Sequence, residues 1–284
     1  MKGIILAGGA GSRLSPLTLV TSKQLLPVYD KPLIYYPLST LISLGIDEIL
    51  LISSPDQIDI FKALLGDGKG FGINLSYEIQ DNPNGIAEAL IIGESFLQED
   101  SCALILGDNI FISDQITSKQ AKDFKEGARI FSISVEDPQR YGVIRTSENV
   151  PVEIVEKPTE FISNNVVTGL YFYDNQAPTL CKKLKPSDRN ELEITDLNQV
   201  YLDNEMLSVS LLDESDVWMD AGTFESLLDA GNYIGSLQRR LCVLVGSPEL
   251  ASYNEGFLNR KDIIKLIRTV SNNSYYQLLE SSIK

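Results

Sequence analysis

Short unbroken apolar runs alternate along the first third of the chain with stretches of helical period. Ile4 to Ala7, Ile49 to Ile52 and Ala103 to Leu106 are continuous apolar tetrads. Such runs are expected of strands buried on both faces of a parallel sheet. Between them, Ile34, Leu38, Leu41 and Ile42 fall on one helical face that Pro32 opens and Gly45 stops, with a bend expected at Pro37. Ile58, Phe61, Leu64 and Leu65 mark a second helix, residues 74–80 a strand, and residues 86–97 a third helix after the turn Asp81-Asn82-Pro83-Asn84-Gly85. This alternation predicts a doubly wound, Rossmann-like α/β sheet with ligands at the carboxyl ends of the strands.

Beyond Arg129 the pattern turns strand-rich, at 129–135, 141–147, 152–156 and 166–174. A helix at 193–202, a strand at 207–212 and a long amphipathic helix at 224–241 follow. Helical stretches at 248–257, 262–270 and 275–283 make a tail. The expected organisation is one α/β unit over residues 1–241, with halves at about 1–128 and 129–241, and a helical extension over 242–284.

The loop after the first strand carries the first chemistry. Gly8, Gly9 and Gly11 remove side chains where the backbone turns, exposing N–H groups that suit phosphate. Ser12 and Arg13 follow, and Arg13 offers a guanidinium fork, with Lys23 ten residues on as a second cation. The dinucleotide pattern fails because Leu14 holds its third glycine position, and no Gly-Lys-Ser/Thr completes a Walker A loop.

Composition narrows the classes. The chain has 284 residues with a formal net charge of −15, so nucleic acid and anionic membranes are disfavoured partners. Phosphate binding must therefore rest on local cations and a metal ion. There is no histidine, which removes Ser-His-Asp catalysis and His-ligated zinc. Cys102, Cys181 and Cys242 read as reduced core thiols of a cytoplasmic protein. The apolar run before the glycines is too short for a signal peptide, and no segment approaches the ~18 apolar residues of a membrane span.

Two carboxylates end buried or pre-helical segments: Asp108 in Leu106-Gly107-Asp108-Asn109 and Asp220 in Trp218-Met219-Asp220-Ala221-Gly222-Thr223. Each could serve as a turn or helix cap. As a pair they could hold one Mg²⁺, which binds through carboxylates and substrate phosphate. The pair Glu156-Lys157 reads equally as a solvated strand end, and the Tyr171/Tyr173 alternation as sheet core.

The compound pattern Gly8-Gly9-Ala10-Gly11-Ser12-Arg13-Leu14 followed by Lys23-Gln24-Leu25-Leu26-Pro27 resembles the signature of sugar-phosphate nucleotidylyltransferases. Val28-Tyr29-Asp30-Lys31-Pro32 after it is similar to the glucose-1-phosphate thymidylyltransferase branch. Arg140-Tyr141-Gly142-Val143, Glu156-Lys157-Pro158, the stretch from Thr168 to Tyr173 and that from Glu191 to Asp196 match the sugar-phosphate region in order. The resemblance covers nearly the whole chain.

It implies the nucleotide-diphospho-sugar transferase fold, with a mixed sheet and a strand-rich sugar-binding half. It also implies transfer of a thymidylyl group from dTTP to glucose 1-phosphate, giving dTDP-glucose and pyrophosphate, with Mg²⁺ on Asp108 and Asp220. Arg13, Lys23 and Lys157 are the implied catalytic cations. Leu6, Ala7, Gly8, Gly9, Gly11, Ser12 and Arg13 would line the nucleotide, and Gln80 and Gly85 would read the thymine edge. Asn109, Gly142, Glu156, Lys157, Thr168 and Tyr171 would hold the sugar phosphate. A homotetramer and a place in dTDP-rhamnose biosynthesis are further implications. A sister enzyme using UTP or another sugar phosphate, and a silent nucleotide-sugar sensor, remain alternatives.

Some residues depart from the pattern. Ile110 to Asp114 replace the usual Tyr-Gly-His-Asp, which puts the family's regulatory site in doubt. Arg145-Thr146 stand where an acidic residue and an aromatic are common, and Phe224 where a His is frequent. Glu88 replaces a frequent Gln and adds a negative charge near the nucleotide.

Overall fold

The computed structural model describes residues 1–9, 11–270 and 273–283, so Ala10 of the glycine loop and Lys284 of the expected tail lie outside it. In chain order, β1 (Lys2–Leu6) leads through the glycine loop to a small hairpin of β2 (Pro27–Val28) and β3 (Lys31–Pro32). Then come α1 (Tyr35–Ser43), β4 (Glu48–Ser53), α2 (Ile58–Leu65) and β5 (Asn74–Ile79). The short helices α3 (Glu88–Ile92) and α4 (Glu94–Leu97) precede β6 (Cys102–Leu106), β7 (Asn109–Ile112) and α5 (Ser118–Asp123). The strand-rich stretch holds β8 (Ala128–Ser134), β9 (Gly142–Ser147), β10 (Val150–Glu156) and β11 (Asn165–Tyr173). It is followed by α6 (Ala177–Cys181), α7 (Ile194–Asp203), β12 (Leu207–Leu211), β13 (Val217–Asp220) and α8 (Phe224–Leu241). The last helices are α9 (Pro248–Asn254), α10 (Arg260–Ile267) and α11 (Ser274–Ser282).

Nine strands form one mixed sheet, with the path β10-β9-β11-β6-β1-β4-β5, β8 pairing with β11 off this path and β12 pairing with β8. The four strands β6, β1, β4 and β5 are parallel, and β11 runs antiparallel beside β6. Along β1, Ile5 enters the core on one face with α1 and α2, whereas Ile4 and Leu6 enter the core on the other with α3, α6 and α7. Leu50 and Leu51 of β4, Leu104 and Ile105 of β6, and Leu170 and Tyr171 of β11 divide in the same way. Helices cover both faces, so no polar residue is needed at alternate positions, and the run is apolar throughout.

Several boundaries differ from the sequence expectation. Lys31-Pro32 is strand, and the helix starts at Tyr35, which places Pro37 in its first turn, where a missing N–H leaves no carbonyl unpaired. The stretch 86–97 breaks into α3 and α4 at Gly93, where a Cβ would stand 2.7 Å from Ile4 Cδ1 and the backbone lies close on the sheet. Residues 109–112 and 217–220 form an antiparallel ribbon outside the main sheet, a pairing of high sequence separation that local pattern did not reveal. α5 and α6 were likewise not expected. Cys102 and Cys181 are buried free thiols, but Cys242, expected in the core, is exposed where α8 ends in a left-handed residue.

The tail packs back on the first half. α9 lies along α1, and Ser252 Oγ donates to Phe71 O at 2.5 Å. Leu244, Ile263, Tyr275, Leu279 and Ile283 form its own small apolar core.

The packing separates two leucines of similar composition. Leu41 on α1 is fully buried, and Leu228 on α8 is 65% exposed. Leu41→Ala should lower unfolding free energy by about 2–5 kcal/mol. Leu228→Ala should change it by no more than about 0.5 kcal/mol. Urea titrations of both variants check this, and similar losses would contradict the orientation of the two helices.

Candidate functional site

The carboxyl ends of β1 and β6 open onto two cavities. One, about 290 Å³, is lined by Arg13, Asp108, Asn109, Glu156, Lys157 and Asp220, with Arg140, Tyr141, Thr195 and Trp218 among the rest. The other, about 340 Å³, is lined by Gly9, Thr18, Lys23, Gln57, Gln80 and Pro83 among others. Lys23 of the second cavity and Asp108 of the first are joined by a hydrogen-bonded ion pair. The pair is therefore the wall common to both.

Asp108 leaves the tip of β6 after Gly107, whose N–H donates to Leu6 O at 2.9 Å. The β7–β13 ribbon then brings the second carboxylate alongside: Asp220 pairs with Asn109 in register, and Ala221 N–H donates to Asp108 O at 3.0 Å. The ribbon ends because Thr223 caps α8, exchanging hydrogen bonds with Ser226 in a capping box. Asn109 is the buried hub. Its Oδ1 accepts from Trp218 Nε1 at 2.6 Å and Gly169 N at 3.1 Å, while its Nδ2 donates to Asp108 Oδ1 at 3.0 Å.

The two carboxyls sit in different fields. Burial opposes ionisation of Asp108, but the Lys23 charge and hydrogen bond, with Asn109, overcome it and hold the carboxyl below its ordinary value. Burial pushes Asp220 up, and the Asp108 charge adds to that against the opposing effects of Tyr141, Arg140 and Arg13. Tyr141 OH donates to Asp220 Oδ1 at 3.0 Å, and burial with the Asp220 charge takes the Tyr141 phenol up to about 12.

Arg13 follows Gly11, which has φ 56° and starts a 3-10 turn over Ser12–Leu14. A Cβ on Gly222 would stand 3.3 Å from both Arg13 Nη2 and Asp220 Oδ2, so guanidinium and carboxylate converge above that glycine. On the opposite wall, Glu156 accepts from Thr195 Oγ1 at 2.6 Å and pairs with Lys157 Nζ at 3.1 Å. Burial opposes ionisation of Glu156, yet these two partners and Arg189 hold its carboxyl low. Lys157 itself takes φ 43°, an uncommon conformation for a side-chain-bearing residue.

The two cavities gather most of the residues singled out in the sequence, and several are placed in unforeseen ways. Leu6 and Ala7 carry core side chains, and their carbonyls are taken by Gly107 N and Ser53 Oγ. Thr168 lines the first cavity but donates its hydroxyl to Phe131 O at 2.9 Å, so toward a ligand it can only accept. It belongs to an irregular stretch of β11 between Val167 and Tyr171, where the register against β8 shifts. Such bulges re-aim side chains beside sites. Tyr171 is buried in the sheet with one side on the cavity. Gly142 leaves room beside Glu156 and Thr195, 3.2 and 3.3 Å from where its Cβ would be.

Gly85, at φ 111°, would place a Cβ 2.3 Å from Leu192 O, so no other residue fits there unstrained. Glu88 is not a free charge near the second cavity, because both its oxygens accept, from Gln80 Nε2 and Asn84 Nδ2. Residues given no role from sequence are Tyr141, Trp218, Thr195 and Arg140. Each lay inside a stretch already singled out, and only the fold shows that they face the carboxylates.

Asp108 and Asp220 could together offer carboxylate oxygens to a divalent cation. Among the described residues no cluster of three or more His, Cys, Asp or Glu gathers, so any ion there would take its remaining ligands from water or substrate oxygen. Each Asp108 oxygen has one protein partner and a second lone pair available, which is compatible with that role.

A profile of the nucleotidyl transferase family matches residues 2–236. The chain belongs to that family, whose members generally use divalent metal ions. It is 48% identical to a glucose-1-phosphate thymidylyltransferase of Neisseria meningitidis serogroup A, across 100% of both chains. It is 45% identical to one of Mycobacterium tuberculosis, covering 97% of this chain and 96% of the relative. A crystal structure from Bacillus anthracis, described as a glucose-1-phosphate thymidylyltransferase in complex with a sucrose, superposes with TM-score 0.77 at 44% identity, covering 82% of this chain and 94% of that one. A UDP-glucose pyrophosphorylase complexed with UDP-glucose superposes at 0.73 with 25% identity, over 84% and 99%.

Removing Lys23 alone would leave Asp108 buried without its counter-charge. Lys23→Ala should cost about 3–5 kcal/mol of stability at neutral pH. Adding Asp108→Asn should restore most of that loss. Because the Asp108 carboxyl is lower in the folded than in the unfolded chain, the pair's contribution is present at neutral pH and disappears as pH falls through the lowered value. Urea titrations of the single and double variants check this; additive losses would show that the two residues do not support each other.

Proposed function

We propose that this protein joins dTTP and glucose 1-phosphate to give dTDP-glucose and pyrophosphate. The observation that carries the reading is the Lys23–Asp108 wall, with one cavity holding Gln80 and the other holding the Asn109, Glu156 and Lys157 surface. A nucleotide on one side and a sugar phosphate on the other would meet at that wall. In this reading residues 1–128 mainly hold the nucleotide, residues 129–241 the sugar phosphate, and 242–284 form an extension.

The chemistry suits a chain without histidine. The sugar phosphate is already a nucleophile at neutral pH, so no general base is required. One of its phosphate oxygens forms a bond to the α-phosphorus of dTTP as the bond to the pyrophosphate oxygen breaks, and pyrophosphate leaves with the electron pair. The protein's task is alignment and neutralisation of the phosphoryl charge.

Lys157 and Arg140 stand on the side where the sugar phosphate would bind. Arg13, which lines the same cavity just after the glycine loop, and Lys23, on the wall between the two cavities, would face the triphosphate. Glu156, Thr195 and Asn109 offer acceptors and donors for sugar hydroxyls. Asp108 and Asp220 would hold Mg²⁺, which would supply charge neutralisation for the phosphates. The gap in their surroundings assigns them unequal parts: Asp108 is kept ionised by Lys23, while Asp220 depends more on an arriving cation.

The relatives at 42–48% identity favour thymidylyl transfer over the UTP-dependent alternative, which matches in fold at 25% identity. No helix of the described residues is long and apolar enough to cross a membrane. A cytoplasmic homotetramer belongs to the same proposal, supported by the buried free thiols and by the exposed apolar side chains Phe224, Leu228 and Leu241 along α8.

Pyrophosphate release with a panel of nucleoside triphosphates tests the reading. We expect dTTP first, UTP within roughly tenfold, and CTP far behind; a purine nucleotide or CTP as best substrate would overturn it. Arg13→Ala should lower kcat/KM by about 10²-fold, with the melting temperature unchanged because the side chain is exposed. A rate loss that only follows a fall in melting temperature would remove Arg13 from the catalytic set. Asp220→Asn should abolish metal-stimulated turnover while nucleotide binding stays measurable, and a near wild-type rate at saturating Mg²⁺ would make that carboxylate structural.

A further inference from the structure

Lys31 lines neither cavity, yet its side chain is only 2% exposed, and a buried ammonium is costly unless something holds it. It sits in β3, on the return strand of the hairpin that follows the Lys23 turn. Its Nζ donates to Asp30 Oδ1 at 2.5 Å and lies 4.8 Å from the centre of the Tyr36 ring. The Tyr275 ring of α11 lies against it at 5.4 Å, so the C-terminal extension completes a box of one carboxylate and two aromatic faces. Glu249 of α9 adds a second negative charge from the same extension, and its Oε2 accepts from Ser247 Oγ at 2.9 Å and from Tyr275 OH. Burial pulls the Lys31 ammonium below the ordinary lysine value, against the opposing charges of Asp30 and Glu249.

Helix α8 seats the hairpin from another side. Asp30 Oδ2 accepts from Gln238 Nε2 at 2.7 Å, and Gln238 Oε1 accepts from Val245 N at 3.0 Å. A Cβ on Gly235 would stand 2.9 Å from the Tyr29 ring, so that glycine lets the turn come close to the helix. Tyr29 itself takes φ 60°, a conformation that persists where the surroundings over-determine it. The same hairpin carries the Lys23 turn. Ile34 N donates to Gln24 O at 2.8 Å, Leu33 N to Leu26 O at 3.0 Å, and Leu26 N closes the turn on Lys23 O at 3.1 Å. The backbone of Lys23 therefore goes where β3 is placed.

We propose that Lys31 is a positioning residue for Lys23: its buried charge gives the hairpin a single seat between α8 and the C-terminal extension, and so sets where the Lys23 ammonium stands against the triphosphate. The proposal rests on the nucleotidyl-transfer reading above and gives the extension a part in the transfer step. An apolar side chain of the same length would fill the space, but apolar contact has no direction. A charge set between Asp30, Glu249 and two ring faces does have one, because each displacement leaves a buried carboxylate short of its partner. A group misplaced by about 1 Å can cost about 10²-fold in rate. That loss falls on the transition state, so kcat carries it and KM does not.

The test neutralises the cluster as a unit in Lys31→Met/Asp30→Asn/Glu249→Gln and follows turnover of dTTP with glucose 1-phosphate. With no buried charge left unpaired, the melting temperature should stay within about 5 °C of wild type. Even so, kcat should fall at least about tenfold with both KM values within about threefold. Amide hydrogen exchange at Leu33 and Ile34 should quicken in the same variant, as the hairpin loosens locally. In a Lys23→Met background the three replacements should cost less than about threefold, since the cation they position is gone. Glu249→Gln alone keeps the side chain's shape and removes the extension's charge; it should lower kcat about threefold or more, and it decides the matter if the triple variant does not fold. Lys2→Met is the control, because Lys2 is a largely buried lysine at the start of β1 that donates to Phe96 O at 2.8 Å; its kcat should stay within about twofold of wild type. An unchanged kcat, or a loss that only follows a fall in melting temperature, would overturn the proposal and leave Lys31 a structural ion. An equal fall of kcat in Lys2→Met would overturn it in favour of general loosening, and a full further loss in the Lys23→Met background would break the link to Lys23. Wild type without turnover on dTTP would instead overturn the nucleotidyl-transfer reading on which the proposal stands.

Discussion

The ion pair between Lys23 and Asp108 is the constraint from which the rest of the site follows. It joins a loop 3-10 turn to the tip of β6, and it separates the two cavities that a transfer reaction needs. A buried carboxylate would otherwise be protonated or destabilising. Pairing holds its carboxyl low, whereas burial, with the Asp108 charge adding to it, raises the neighbouring Asp220 carboxyl. The two carboxyls of one cavity are thus shifted in opposite directions, within a chain whose formal net charge is −15. Cations placed one by one around the cavity, at Arg13, Arg140 and Lys157, offset locally what the surface as a whole does not.

How far the sequence could be read depended on how local each determinant was. The parallel strands were legible because burial on two faces writes an uninterrupted apolar run, as at Ile4 to Ala7 and Ala103 to Leu106. Helix α8 was found with its ends, since Thr223 caps it and its apolar face repeats over many turns. The β7–β13 ribbon was not, because Asn109 and Asp220 meet only through tertiary pairing, and neither flank has an alternating pattern long enough to mark it. The break at Gly93 and the irregular register near Thr168 were hidden for a related reason: each is imposed by what packs against it.

The site divides along the same line. Residue types with a strong chemical signature, such as Arg13, Lys23, Asp108 and Asp220, could be singled out from motif and spacing. Their partners could not, since a tyrosine or threonine is ordinary sheet or helix material until the fold aims it. Tyr141 on Asp220 and Thr195 on Glu156 are of this kind. Glu88 shows a third situation. Its departure from the family pattern was visible as an added charge, but the structure gives that charge two hydrogen-bond partners and hence a direction.

The clasp between the 81–87 turn and Leu192 bears on how such a protein can diversify. Leu192 N binds Asn84 O, Ala87 N binds Leu192 O, and Gly85 fits against the same residue with no room for a side chain. The very next residues, Glu193 to Thr195, line the opposite cavity. On the proposed function, sugar choice and base choice would lie on two sides of a single backbone seam. Lineages or engineers that lengthen or reshape the 186–193 segment to admit a new sugar would disturb the base reader at the same stroke, whereas side-chain replacements on Glu193 or Thr195 leave the seam intact. On that reading the easier evolutionary path to a new sugar would run through point substitutions, since loop remodelling on that side would shift the nucleotide pocket with it.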